Sequence, residues 1–222
     1  MYFIFLYNFV ALISTKYNSM NTEYESRYAT NPETVKSYDT TKLRAEFLVD
    51  NLMQKDKIVM TYSHYDRYIV GSAVPGNSLS LESIAPLKAD FFLERRELGI
   101  INVGAAGTVE VDGVCYQLDH KDALYVGQGN REIVFKSKNQ KELAQYYFNS
   151  APAHTSYPTK KVSLQEANAM ELGTLETANH RIVHQMIIGG VVDTCQMQMG
   201  MTTLKSGSVW NTMPAHVHDR RM

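Results

Sequence analysis

Residues 108–118 read TVEVDGVCYQL, two short alternating runs joined by Asp112-Gly113. Successive side chains of a strand point to opposite sides, so Val109 and Val111 share one face and Glu110 takes the other. By the same period Val114, Tyr116 and Leu118 fall together on the return run. Asp-Gly suits a two-residue hairpin turn whose central positions both take positive φ. The stretch therefore predicts an antiparallel hairpin, and its neighbours extend it. Gly99–Val103 is a short apolar run turned by Gly104-Ala105-Ala106-Gly107, Ala123–Val126 is apolar, and Glu132–Lys136 and Leu143–Phe148 supply two more strands. Turn signals recur about every 8–12 residues, the spacing of a sandwich or barrel. A β block over residues 57–150 is the expectation.

On its N-terminal side, residues 20–56 read as a polar lead with a short helix over Thr41–Asn51, Leu43, Phe47 and Leu48 forming one face. Before it, Met1–Ser14 (MYFIFLYNFVALIS) is apolar and uncharged. It is shorter than the roughly 20 residues a membrane-spanning helix needs. Residues 1–19 are read as a start placed too early, with Met20 as the true start; a degenerate export signal is the competing reading. On the C-terminal side, residues 151–178 form a connector. The run NSAPAHTSYPTK (149–160) carries Pro152 and Pro158, and the capping box Ser163-x-x-Glu166 predicts a short helix over Leu164–Leu172. A second β block, 179–222, follows. His180, Ile182, His184, Met186 and Ile188 share one strand face, and Cys195, Met197, Met199 and Met201 alternate with Gln196 and Gln198. With the last residue at Met222 this block looks unfinished, and the chain reads as a fragment of a longer protein. The fold class is all-β.

Composition narrows the function. Hydrophobic residues make up 44% of the 222, enough for a real core, which excludes disorder and coiled coil. Lys and Arg total 22 against 23 Asp and Glu, so no charge excess draws the chain to nucleic acid or an acidic membrane, and neither is an expected partner. Two cysteines, Cys115 and Cys195, read as reduced thiols of a cytoplasmic protein. Phosphate loop, nucleophile elbow and dinucleotide fingerprint are all absent from the sequence.

The sharpest chemical feature is His216-Val217-His218. On a strand, residues two apart face the same side with Cα atoms about 6.6 Å apart, so two imidazoles can converge on one metal ion. The alternative is a solvated pair. Other candidates rank lower. His64 sits in the polar, aromatic run TYSHYDRY, suited to a pocket or an interface. Glu94-Arg95-Arg96-Glu97 is a charge run that normally forms a solvated face, although Arg95 or Arg96 could hold a carboxylate by the bidentate geometry of a guanidinium. His154 is a loop residue, His180 and His184 read as satisfied core histidines, and the Met stripe as core packing.

Several strings also carry a resemblance. YSHYDRYIVG (62–71), FFLERRELGIINVG (91–104), VDGVCYQLDHKDALYVG (111–127), APAHTSYPTKKV (151–162) and WNTMPAHVHDRRM (210–222) closely resemble the 5-keto-4-deoxyuronate isomerase family, from about Thr41 to Met222. The resemblance implies a bicupin, two cupin-type β-barrels in one chain, here with the second incomplete at its C-terminus. It implies one zinc ion per subunit, with His216 and His218 as two ligands. The family's ligating Glu, five residues after the second His, falls one position past Met222, and a further His lies beyond that. The implied activity is an aldose–ketose isomerisation of 5-dehydro-4-deoxy-D-glucuronate to 3-deoxy-D-glycero-2,5-hexodiulosonate in pectin and polyuronate breakdown. The uronate carboxylate then needs a cationic anchor, with Arg95, Arg96 and His64 as second-rank substrate-binding candidates, and the general base is not identified. Self-association into a homo-oligomer is implied as well. A metal-free sugar-acid-binding cupin, an inactive fragment and an iron-dependent cupin oxygenase are the alternatives.

Overall fold

The computed structural model describes residues 17–18 and 21–211. In chain order its elements are β1 (Tyr17–Asn18), β2 (Thr22–Arg27), α1 (Pro32–Val35), α2 (Thr40–Phe47), β3 (Ile58–Ser63), β4 (Ile69–Ala73), β5 (Leu79–Ser80) and a 3-10 turn at Ala85–Leu87. There follow β6 (Arg96–Asn102), β7 (Gly107–Val111), β8 (Val114–Leu118), β9 (Ala123–Val126), β10 (Ile133–Ser137) and β11 (Tyr146–Pro152). The last are β12 (Lys160–Val162), β13 (Asn168–Leu172), β14 (Arg181–Ile187) and β15 (Met199–Leu204). The chain is mostly β, as expected.

The β7–β8 hairpin forms as predicted. Val111 pairs with Val114, and Asp112 and Gly113 take φ of 46° and 82°, positive at both turn positions. The Asp112 carboxylate also accepts from the backbone N–H groups of Arg131 and Glu132, tying the turn to the start of β10.

The described strands form three sheets: an eight-stranded one in the order β1-β2-β3-β4-β11-β6-β9-β12, a four-stranded one β5-β10-β7-β8, and a three-stranded one β13-β14-β15. None closes into a barrel among the described residues. The large sheet separates two cores. On one face Ile58, Met60, Leu98, Ile100, Leu124 and Phe148 pack with Val109, Leu118 and Phe135 of the four-stranded sheet. On the other, Ile101, Tyr125 and Ala151 meet Met186, Ile187, Met197 and Met199 of the second β block. Strands β6 and β9 are consequently buried on both sides, which is why LGII and ALYV read as continuous apolar runs rather than alternating ones.

Three expectations need correction. The helix over Leu164–Leu172 does not form. Ser163 and Glu166 make their box contacts, the Glu166 carboxylate accepting from Ser163 N–H and Oγ, but the box closes a turn and Asn168–Leu172 runs on as β13, paired with β14. The connector therefore contributes two strands, since β12 also joins the large sheet through β9. The lead helix, α2, ends at Phe47, capped by Asp39, and buries none of its residues; Leu43 and Phe47 are exposed. The lead instead contributes β2, which pairs in parallel with β3. Finally, Cys195–Gln198 is not part of a strand; β15 begins at Met199.

Candidate functional site

Strand β6 opens with Arg96 and Glu97, adjacent residues that the pleat sends to opposite faces of the large sheet. The charge run read as a solvated face is thus only half so. Glu94 and Arg95 are at the surface, whereas Arg96 is 5% exposed and Glu97 0%.

Glu97 faces the second core. Its Oε2 accepts from the Tyr125 hydroxyl and the Cys195 N–H, each at 2.8 Å, and its Oε1 from the N–H groups of Gln196 and Met197, also at 2.8 Å. A buried carboxylate is tolerated only when its lone pairs are filled, and here three backbone donors and a phenol fill them. Burial, then the hydrogen bond to Glu97, holds the Tyr125 phenol well above its ordinary range. The carboxylate is a staple, pinning 195–197 to the first block. Beside it the Cys195 thiol lies 3.0 Å from His154 Nδ1. These two donors form no group of three or more His, Cys, Asp or Glu able to hold a metal ion, and no such group exists among the described residues.

Arg96 faces the other way. Its Nε donates to Ser150 Oγ at 3.0 Å and its Nη2 to Ser150 O at 2.7 Å, on the neighbouring strand β11. Ser150 Oγ in turn donates a hydrogen bond to the Glu97 carbonyl at 2.7 Å, which turns its lone pairs toward the guanidinium. Among the described residues no carboxylate forms an ion pair with Arg96. Burial lowers its pKa to about 10, Tyr62 opposes that shift, and Arg67 adds to it.

Arg96 lines a pocket of about 360 Å³ with Arg67, Lys88, Arg95, Tyr62 and Phe92. That volume is in the range of small-ligand pockets. Four of its lining residues are cationic and none is acidic. Arg95 is already engaged: its Nη2 donates to the carbonyls of Leu87 (3.3 Å) and Lys88 (2.6 Å), and Glu94 lies 3.8 Å away. The structure thus brings two second-rank candidates, Arg95 and Arg96, into one pocket. His64 does not line it; exposed, it stacks on Tyr28 (centroids 4.3 Å) and meets the edge of Tyr62 (5.2 Å). Lys88 was not singled out in the sequence, and Arg67 was read only as part of the TYSHYDRY run suited to a pocket or an interface.

His216 and His218 lie outside the described residues. Of the other histidines, His180 Nε2 is 2.6 Å from Glu171 Oε1, and His184 keeps a buried Nδ1 with no hydrogen-bond partner among the described residues. No helix of the described residues is long and apolar enough to cross a membrane.

The structure defines a mostly-β protein with a small cation-lined pocket at the head of β6. Comparison with known proteins makes this specific. Residues 47–222 match the model of the KduI/IolB family, and the chain belongs to that family. It is 71% identical over 204 residues to the 4-deoxy-L-threo-5-hexosulose-uronate ketol-isomerase of Formosa agariphila, covering 91% of this chain and 73% of that protein. It is 52% identical over 204 residues to ketol-isomerase 1 of Bacteroides thetaiotaomicron, with the same coverage. To the Escherichia coli O139:H28 ketol-isomerase it is 49% identical over 190 residues, 84% of this chain and 68% of that one. Among solved structures, an IolB-like protein from Salmonella typhimurium overlaps 54% of this chain and 43% of its own at 18% identity and a TM-score of 0.41. The Cnp3 cupin domain of Schizosaccharomyces pombe overlaps 46% and 69% at 15% identity and a TM-score of 0.35.

Proposed function

We propose that this protein is a zinc-dependent ketol-isomerase that converts 5-dehydro-4-deoxy-D-glucuronate to 3-deoxy-D-glycero-2,5-hexodiulosonate in pectin and polyuronate catabolism. The observation that carries the reading is the 71% identity over 204 residues with a relative of that name. In architecture the reading takes the chain as a bicupin, its first unit spanning 57–150 and its second beginning at 179, working in the cytoplasm as a homo-oligomer.

The reaction moves a carbonyl from C1 to C2. The C2–H proton leaves, the electron pair passes into an enediolate, a proton returns to C1 and the C2 hydroxyl proton is relocated to O1, so the step is redox-neutral overall and needs a base with a pKa near the working pH. His216 and His218 would hold the metal; two neutral imidazoles are a donor set that zinc accepts. Bound there, zinc supplies Lewis acidity to the substrate's carbonyl and hydroxyl oxygens, where the negative charge develops. The chain's own contribution in the described region is electrostatic: a pocket whose charged lining residues are all cations suits a substrate that carries a carboxylate.

The test is turnover of the uronate by the full-length protein, with zinc content measured in parallel. His216→Ala is expected to lose the metal and more than about 100-fold of activity, since even outer-shell partners of a metal ligand are worth 10–100-fold. Full activity in that variant, or after the metal has been stripped by a chelator, would overturn the zinc assignment. Tight binding of sugar acids by a zinc-loaded protein that shows no turnover would favour a binding cupin instead.

A further inference from the structure

The state of Arg96 is unusual for a buried cation. It is 5% exposed, its Nε–Nη2 edge is held by Ser150, and no described carboxylate neutralises it. An unpaired buried charge is costly and is normally compensated by an opposite one. The end of the guanidinium formed by Nη1 and the second Nη2 proton makes no hydrogen bond among the described residues. That end offers two parallel donors, the geometry that fits both oxygens of a carboxylate.

The pocket around it is built in the same sense. Arg67 and Lys88 line it from two different loops, and each holds a positive φ, 54° and 48°. Residues with side chains avoid that region and are found there where the surroundings over-determine them, often at binding sites. Arg95 ties its guanidinium to the carbonyls of Leu87 and Lys88 and so steadies the turn that carries Lys88. Tyr62, Phe92 and Pro152 give the remaining wall an apolar, partly aromatic character that free phosphate cannot use but a carbon ring can.

We propose that this pocket is a carboxylate-binding site for a monosaccharide acid, with Arg96 taking both carboxylate oxygens, Arg67 and Lys88 flanking the charge, and Tyr62 and Phe92 lying along the ring. The choice of a sugar acid rests on the isomerase reading; the binding itself is measured without turnover. Arg67, Lys88 and Arg96 act here as substrate-positioning residues.

The experiment is calorimetric titration of the full-length protein with D-galacturonate, D-galactose and inorganic phosphate. Galacturonate is expected to bind at least about 10-fold more tightly than its neutral counterpart galactose, and more tightly than phosphate. Arg96→Lys keeps the charge but loses the paired donors, and should weaken galacturonate binding about 10-fold or more. Arg67→Asn and Lys88→Asn remove one exposed cation each while keeping a residue that tolerates positive φ; each should weaken binding about 3-fold, and they carry the test if Arg96→Lys does not fold. Phosphate bound as tightly as galacturonate would overturn the sugar-acid assignment. Absence of galacturonate binding, or binding indifferent to all three cation substitutions, would overturn the site. Galacturonate binding that follows the cations, in a protein without isomerase activity, would sink the isomerase reading and leave this site standing.

Discussion

Glu97 and Arg96 are neighbours in the chain with opposite surroundings. Glu97 is a filled acceptor: the Tyr125 hydroxyl and the backbone N–H groups of Cys195, Gln196 and Met197 all donate to its two oxygens. Replacing it with Gln keeps the shape but turns one acceptor oxygen into a donor facing N–H groups. Glu97→Gln should cost about 3 kcal/mol, the penalty for donors left unpaired beside a lost charge. Urea denaturation would measure it, and faster hydrogen exchange at Cys195, Gln196 and Met197 would show that 195–197 has come loose; unchanged exchange there would count against the staple. The sequence ERRE could not reveal this arrangement by composition. A signal was nevertheless present, because extending the two-residue period of LGII backwards places Arg96 with Leu98 and Ile100, and Glu97 with Gly99 and Ile101, all of them inside.

Among the elements, the β7–β8 hairpin was legible because a two-residue turn is a local object. Its geometry depends on Asp112 and Gly113 and on little else. A Cβ at Gly113 would meet nothing within 4 Å, so Gly113→Ala should cost only the left-handed conformation, about 1–2 kcal/mol, and Gly113→Asn less. Gly127 has the opposite character. It follows β9, and a Cβ there would overlap the carbonyl oxygen of Tyr157, part of the connector laid against it. Gly127→Ala should therefore be worse than Gly113→Ala, at about 3 kcal/mol, because backbone has to move. Thermal or urea midpoints of the two variants give the order, and an inverted order would mean that the connector is not held as described. Strand β13 is one of the elements that sequence reasoning missed, with β2 and β12. The run LQEANAMEL (164–172) has high helix propensity, and its Ser163–Glu166 box is a real hydrogen-bonded unit. Propensity is a weak prior, and pairing of Met170 with Val183 across to β14 overrides it.

Taken together, the two cores share one sheet, and the buried tyrosines record how dry that arrangement is. Tyr125 and Tyr146 are fully buried, and burial holds both phenols well above their ordinary pKa. A group whose pKa is raised by folding contributes its full stability below the unfolded value and loses it as pH climbs past that value. Stability should accordingly hold up to about pH 10 and fall above it, by about 1.4 kcal/mol per pH unit for each of these two phenols. Arg96, lowered to about 10, works in the opposite sense and offsets one of them, so the net change is downward. Urea midpoints measured from pH 8 to 11, with tyrosinate absorbance followed alongside, check this; phenols that ionise near pH 10 in the folded protein would contradict it.

By itself the sequence determined the β class, the hairpin at 112–113 and the resemblance to an isomerase family. Each of these is written in local periodicity, a two-residue turn or a contiguous string. Only the tertiary structure decided that the large sheet is covered on both faces, that Arg96 is buried with no carboxylate paired to it among the described residues, and that Arg67 and Lys88 stand beside it. Those facts depend on strands from distant parts of the chain meeting, as Arg96 meets Ser150 across β6 and β11. Burial of a charge is a property of what packs around it, and no stretch of sequence carries its own neighbours.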